Sequence, residues 1–481
     1  MATTLDPARP SPGAGKYPLD PGRFDEAFAP EGTPRPPYAA VLDALAQHDL
    51  PALRERVQSA ATELGLDFGE GRPMTVDPVP RLIEAAEWTA LEAGLTQRAR
   101  ALNAFLLDAY GGQRIFDAGV VPRRLLESSA GYEPRMRGLL DPDVPPATVA
   151  GLDLVRGADG ALLVLEDNLR MPSGASYAIA VREAVEPALG AELRPRPLGS
   201  YVGELGAAIR AAAPAGRDEP AAAIVSDGPA SGAWYEHRRL GRELGIPVVE
   251  PGELEVERGR LFARHNRDRR QLDVLYRRLD EDRLSAPDGA LTALGELLLP
   301  ALASGRLRCV NAFGTGLADD KLAHAYTESM VRFYLGEEPL LRSVPSFDLS
   351  DAAIREATMG RLEELVVKPR DGFGGKGVTI MPKATAQQRR RAIGLVRRRP
   401  EGFVAQETVQ LSSHPTVCGA RLRPRRVDLR PFVVSSAAGT AAMPGGLTRY
   451  ARGAGEMIVN SSRGGGGKDT WVIDAPAPAR R

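Results

Sequence analysis

The chain has 481 residues, 43% hydrophobic and 26% charged, and its 62 basic and 62 acidic residues cancel to a formal charge of zero. That length predicts two or three domains with substantial cores, and neutrality removes charge as a reason for an obligatory nucleic-acid or membrane partner. There is no apolar run long enough to cross a bilayer, no hydrophobic signal core between Met1 and Lys16, and too few cysteines (Cys309 and Cys418) for a disulfide framework or a zinc site, so a cytoplasmic address is expected.

Residues 1–37, rich in Pro and Gly, read as an extended N-terminal arm. Residues 38–148 read as a helical N-terminal region: Leu82, Ile83, Ala86, Leu91, Leu95, Leu102, Phe105 and Leu106 recur at three- and four-residue intervals, the period of amphipathic helices. Two β-rich runs, 151–156 and 161–166, then flank Asp159-Gly160, a dipeptide suited to a tight hairpin turn. Centring the turn there sets Ala158 opposite Ala161 and Asp153 opposite Glu166, with β-carbons about 4.5–5.5 Å apart. Carboxylates that close repel unless a cation lies between them, and period-two alternation puts Asn168 on the same face.

Beyond a helical stretch and an Ala/Pro linker, residues 220–310 follow a β-α-β pattern and read as a Rossmann-like unit without G-x-G-x-x-G, so a dinucleotide role is not expected. From Asn311 to 474, Gly-rich loops alternate with strands. Leu365 to Lys368 reads as a strand, Arg370 to Gly377 as a loop, and Ala384 to Arg399 as a basic helix. Residues 475–481 read as a flexible tail. Only six of the 62 basic residues are lysines, and four of these lie in or beside Gly-rich segments, where a compact ammonium suits phosphate oxygens.

Asp153, Glu166 and Asn168 are hard oxygen donors of the number magnesium takes from a protein when phosphates and waters complete its shell. Gly372, Gly374, Gly375, Lys376 and Gly377 form a loop whose backbone N–H groups can approach phosphate oxygens, although it is not a Walker A sequence. Lys368 enters that loop, and Gln406-Glu407 closes a strand placed to read an adenine amino group and a ribose hydroxyl. Arg170, Ser173, Arg430, Arg449, Arg463 and Lys468 suit an anionic substrate and a developing phosphoryl charge. His237 and His414 read as structural, and no Ser/His/Asp or Cys/His arrangement stands out.

Together with Tyr276-Arg-Arg278, Asn311 to Lys321, Val427 to Phe432 and Val459 to Trp471, these segments resemble the circularly permuted type 2 ATP-grasp proteins from about Phe24 to Trp471, and more distantly glutathionylspermidine synthetase. The resemblance implies an α/β (α+β) permuted ATP-grasp fold, with residues 149–215 as its displaced C-terminal part, 220–310 as a pre-ATP-grasp unit and 311–474 as the nucleotide-binding region. It implies ATP and Mg2+, two ions held by Asp153, Glu166 and Asn168, with Lys321 and Lys368 as the paired phosphate lysines. Arg449, Asn460 and Arg463 resemble a substrate-side loop, with Ser173 as a further substrate contact. One departure is Gly151, where many such ligases carry Arg; Arg430 or Arg170 would take over. The permutation also places the 149–168 hairpin after Trp471, completing the sheet that carries Lys368.

The expected function is an ATP- and magnesium-dependent carboxylate–amine ligase working through an acyl phosphate on small-molecule or peptide substrates. The alternative is a non-catalytic ATP-binding protein within a larger assembly. RNA contact through Arg389 to Arg399 and Arg421 to Arg430 is a weaker reading that neutrality opposes.

Overall fold

Strands from both ends of the chain meet in one nine-stranded sheet. The structure is a computed structural model that describes residues 17–474, apart from 69–70, 191–193, 266–267, 287, 373–374, 457–458 and 460–464. Across the large sheet run Val76–Glu84, Gly466–Ile473, Leu447–Tyr450, Arg421–Arg430, Val149–Arg156, Phe432–Ser436 and Gly439–Ala442. Leu162–Asn168 pairs with Val149–Arg156, and Ser413–Cys418 with Arg421–Arg430. Alternation sends Val472 to one hydrophobic core and Trp471 and Ile473 to another, so the sheet is buried on both faces.

Three smaller sheets complete the chain. Arg308–Val310, Val274–Arg278, Ala222–Ser226 and Val248–Val249 form a parallel sheet, and Leu254–Glu257, Arg260–His265 and Asp268–Leu272 an antiparallel one. Ser346–Asp348, Phe403–Gln406, Val366–Pro369 and Thr379–Ile380 form the third, also antiparallel. This last sheet has its own small core, including Leu365, Val367, Met381, Val396 and Ala405. Helix Ala386–Arg398 contributes Ala392 and Val396 to it and opens on a capping box of Thr385 and Gln388.

Several expectations change here. Leu82 and Ile83 lie in a strand, Val76–Glu84, paired in parallel with Gly466–Ile473. Pro78 and Pro80 fall where the register shifts, between Asp77 and Arg81, on a strand at the end of the sheet, where missing N–H donors are tolerated. Residues 17–37 are not an extended arm: Glu26 is buried and bonded to the fully buried Arg81 at 2.6 and 2.7 Å, and Tyr17 stacks on Phe28. The hairpin does not complete the sheet of Lys368; it belongs to the large sheet, and the two sheets face each other across a cavity.

Lys468 is also placed differently from the sequence reading. It is fully buried, and its three ammonium donors go to Asp77 Oδ1, to Val79 O at 3.4 Å and to Pro415 O at 3.0 Å. Asp77 in turn accepts from Val417 N at 2.8 Å, so one ion pair ties three strands together. Losing one partner of such a pair strands a buried charge. Lys468→Ala is therefore expected to cost about 3–5 kcal/mol in denaturant unfolding while leaving the nucleotide affinity of the folded protein unchanged.

Candidate active site

The hairpin Val149–Arg156/Leu162–Asn168 forms one wall of the cavity. Its turn is one residue longer than Asp159-Gly160 at the centre implies: Gly157 N donates to Ala161 O at 2.9 Å, and Gly160 takes φ +82°. That is a three-residue loop with glycine in the left-handed position, and it pairs Arg156 with Leu162 instead of Leu163. A register shift between Asp153 and Leu154, one extra residue at Leu165, absorbs the difference. Asp153 therefore pairs with Glu166, as the sequence predicts, and Gly151 with Asn168.

The cavity between the sheets has a volume of about 370 Å3 and is lined by Asp153, Glu166, Asn168, Arg170, Lys321, Lys368, Gly372, Gly375, Gln406, Glu407, Arg430 and Arg449 among the expected residues. Lys376 and Gly377 are exposed and do not line it. Ser173 does not line it either; its Oγ accepts from Arg278 at 2.5 Å and its carbonyl from Arg430 at 3.3 Å. Gly374, Asn460 and Arg463 lie outside the described residues.

Asp153 accepts Arg430 Nε at 2.6 Å and Nη2 at 2.9 Å, and Arg449 Nη2 at 2.9 Å. Burial alone would raise its carboxyl, but Arg430 and Arg449 outweigh burial and hold it well below the usual carboxylate range. Three of the roughly four lone-pair positions of the carboxylate are then used, and one remains. Glu166 Oε1 accepts Lys368 Nζ at 3.2 Å; burial opposes its ionisation, and Lys368 and Lys321 overcome that and lower its pKa. Lys321 donates to Gly372 O, so it holds the Gly-rich loop, and burial lowers its pKa. Arg170 bonds Asp280 at 2.5 Å beside Asp319.

Gln406 differs from its expected role. Its Nε2 donates to Leu165 O at 3.3 Å and Ser346 Oγ at 3.0 Å, so the amide is anchored in the wall. Asp428 was missed. It lines the cavity and binds Arg449 at 3.0 and 2.6 Å, and burial raises its pKa despite that partner. Period-two alternation from Arg430 was the available signal. Asp319, which accepts from the backbone N–H groups of Leu169 and Arg170, was missed for want of a local pattern.

The lining carries six carboxylates against five Lys and Arg side chains. Such a wall cannot neutralise a triphosphate by itself, and hard oxygen donors facing one another suit a divalent cation. Asn168 also lines the cavity, and its amide oxygen is a neutral donor of the same hard type. The lining is also partly apolar, with Val155 and Leu165 from the hairpin, Val366 and Ile380 from the facing sheet, and Val378 just before its strand Thr379–Ile380.

Several sheets with a Gly-rich loop and a lysine pair over a carboxylate hairpin define an ATP-grasp type of fold. Residues 80–451 match the circularly permuted ATP-grasp type 2 family, and the chain belongs to it. It is 42% identical over 466 residues to a Frankia alni protein named "Putative glutamate--cysteine ligase 2-3", covering 94% of this chain and 54% of that protein. It is 38% identical to an uncharacterised protein of Synechocystis sp., covering 94% and 98%, and 38% identical to one of Mycobacterium tuberculosis, covering 95% and 85%. The chain spans about half the length of the Frankia relatives it matches.

Gly151, where an Arg was expected, has no room for a side chain. A β-carbon there meets Pro172 Cβ at 2.7 Å and Phe432 at 3.3 Å. Gly151→Arg is therefore expected to lose at least about 1–3 kcal/mol of stability from overpacking, rather than supply a cation. Thermal unfolding measures this, and a variant as stable as the parent would show that space exists.

Proposed function

We propose that the protein is an ATP- and magnesium-dependent carboxylate–amine ligase that forms an amide or peptide bond through an acyl phosphate. The observation that carries this reading is one cavity lined by Asp153 and Glu166 together with Lys321, Lys368, Gly372 and Gly375, with apolar side chains beside them. The apolar residues from both walls suit a planar base, and the charged ones suit a polyphosphate.

In the first step a substrate carboxylate oxygen attacks the γ-phosphorus of ATP, forming an O–P bond as the bond to the β-phosphate oxygen breaks and ADP leaves. In the second an amine attacks the acyl carbon; a C–N bond forms, phosphate departs and the amine gives up a proton. Little covalent chemistry falls to the protein, which positions the reactants and balances charge. Lys321 and Lys368 stabilise phosphate charge, and Lys321 also holds the loop at Gly372. Arg430, fixed on Asp153, is the cation that takes the place of the Arg absent at Gly151. Magnesium held by Asp153, Glu166 and Asn168 would neutralise phosphate charge and orient the transferring group.

The Frankia relative's printed name is that of a ligase. This chain spans about half of that protein. Asn168→Ala and Lys368→Ala are each expected to lower magnesium-dependent ATP turnover by about 100-fold, Asn168→Ala at unchanged thermal stability and Lys368→Ala with some loss of stability because Glu166 loses its partner; either variant with full turnover would sink the reading. Incubating the protein with ATP, magnesium and a metabolite extract should consume two metabolites together and yield a product lighter than their sum by one water. ATP binding without any ADP formation would favour a non-catalytic nucleotide-binding role.

A further inference from the structure

Besides Asn168 Nδ2, the buried atoms His324 Nε2 and Gln406 Oε1 beside the cavity have no partner among the described residues. Both residues line a second, small cavity of about 10 Å3 that shares Glu166, Lys321 and Lys368 with the large one. Neither residue's free end is arbitrary, because its other end is fixed.

His324 Nδ1 stands 2.7 Å from Asp167 Oδ2. Asp167 lies between Glu166 and Asn168 in the strand and is held by Arg98 through both oxygens, at 2.6 and 2.7 Å. A carboxylate only accepts, so Nδ1 carries the proton and Nε2 presents its lone pair. Nδ1 also lies 3.3 Å from Arg98 Nη2, but the 2.7 Å contact with the carboxylate is the shorter one and needs a donor at Nδ1. Gln406 is oriented in the same way. Its Nε2 faces Leu165 O, which can only accept, so Oε1 is the unpartnered end.

Two acceptors without donors thus share a small cavity with two lysines. A single water can donate to both Nε2 and Oε1 and accept from the ammonium groups, and the cavity is at the lower size limit for one water. We propose that this cavity binds one ordered water, and that His324 is a positioning residue that steadies the Lys321–Lys368 pair through it. The proposal rests on the nucleotide reading of the large cavity. It gives Lys368 an acceptor besides Glu166, to which it donates at 3.2 Å.

Two substitutions separate this role from a merely structural one. His324→Asn keeps an N–H for Asp167 and deletes the Nε2 acceptor, whereas His324→Gln reaches the Nε2 position and restores an acceptor there. In calorimetry of the full chain with MgATP, His324→Asn is expected to weaken binding about tenfold at unchanged thermal stability, and His324→Gln to recover most of the loss. A crystal structure of the unmutated protein should show a water within hydrogen-bond distance of both His324 Nε2 and Gln406 Oε1. A dry cavity, a His324→Asn protein with parental affinity, or no recovery with Gln would overturn the proposal, and the crystal structure decides if the variants do not fold. An unmutated protein that fails to bind ATP would instead overturn the nucleotide reading, and this inference with it.

Discussion

The site depends on holding two carboxylates side by side where water does little to screen them. Asp153 and Glu166 face each other across a ladder, and at that separation in a buried cavity their mutual repulsion is substantial. Arg430 and Arg449, from neighbouring strands of the same sheet, balance Asp153. Glu166 is balanced by Lys368, which comes from the facing sheet. The electrostatics of the pair therefore require both sheets, and closing one over the other is coupled to neutralising the carboxylates.

The loop that follows the hairpin is held from the third direction. Arg277 and Arg278 end a strand of the parallel sheet and are both buried. Arg277 donates to the carbonyls of Arg170, Leu279, Asn311 and Ala312. Arg278 reaches Pro172 O, Ser173 Oγ and Glu236, and Glu236 accepts the N–H groups of Gly174 and Ser176 where helix Ala175–Leu189 begins. A buried guanidinium is tolerable only when its donors are satisfied. Here that requirement serves to fix the backbone joining the carboxylate hairpin to the next helix.

What could be read in the sequence was what local pattern controls. Alternation along 151–168 located the carboxylate pair, and the Gly-rich run after Lys368 located the loop that Lys321 holds. The turn was misread by one residue, and the pair survived only because Leu165 is bulged, a compensation that no local propensity encodes. Val76–Glu84 was read as helix because its pairing partner, Gly466–Ile473, lies at the other end of the chain. Lys468 was read as a site residue from its Gly-rich neighbours. Its role is set by Asp77, a residue that sequence distance hides.

The order of the segments in the chain is immaterial to this chemistry. A sheet is specified by which strands are neighbours, and the site asks only that the strand of Asp153 lie beside Arg421–Arg430 and oppose the strand of Lys368. Permutation changes which loops join those strands, not the register that places Glu166 against Asp153 or the face that Arg430 presents to it. The loops it creates carry little of the site's energy, because closure entropy grows only slowly with loop length. The carboxylate hairpin can therefore precede the Gly-rich loop in the chain and still meet it in space. What must be preserved is the set of charges that make the two sheets complementary, and those charges are distributed over segments that only the folded chain brings together.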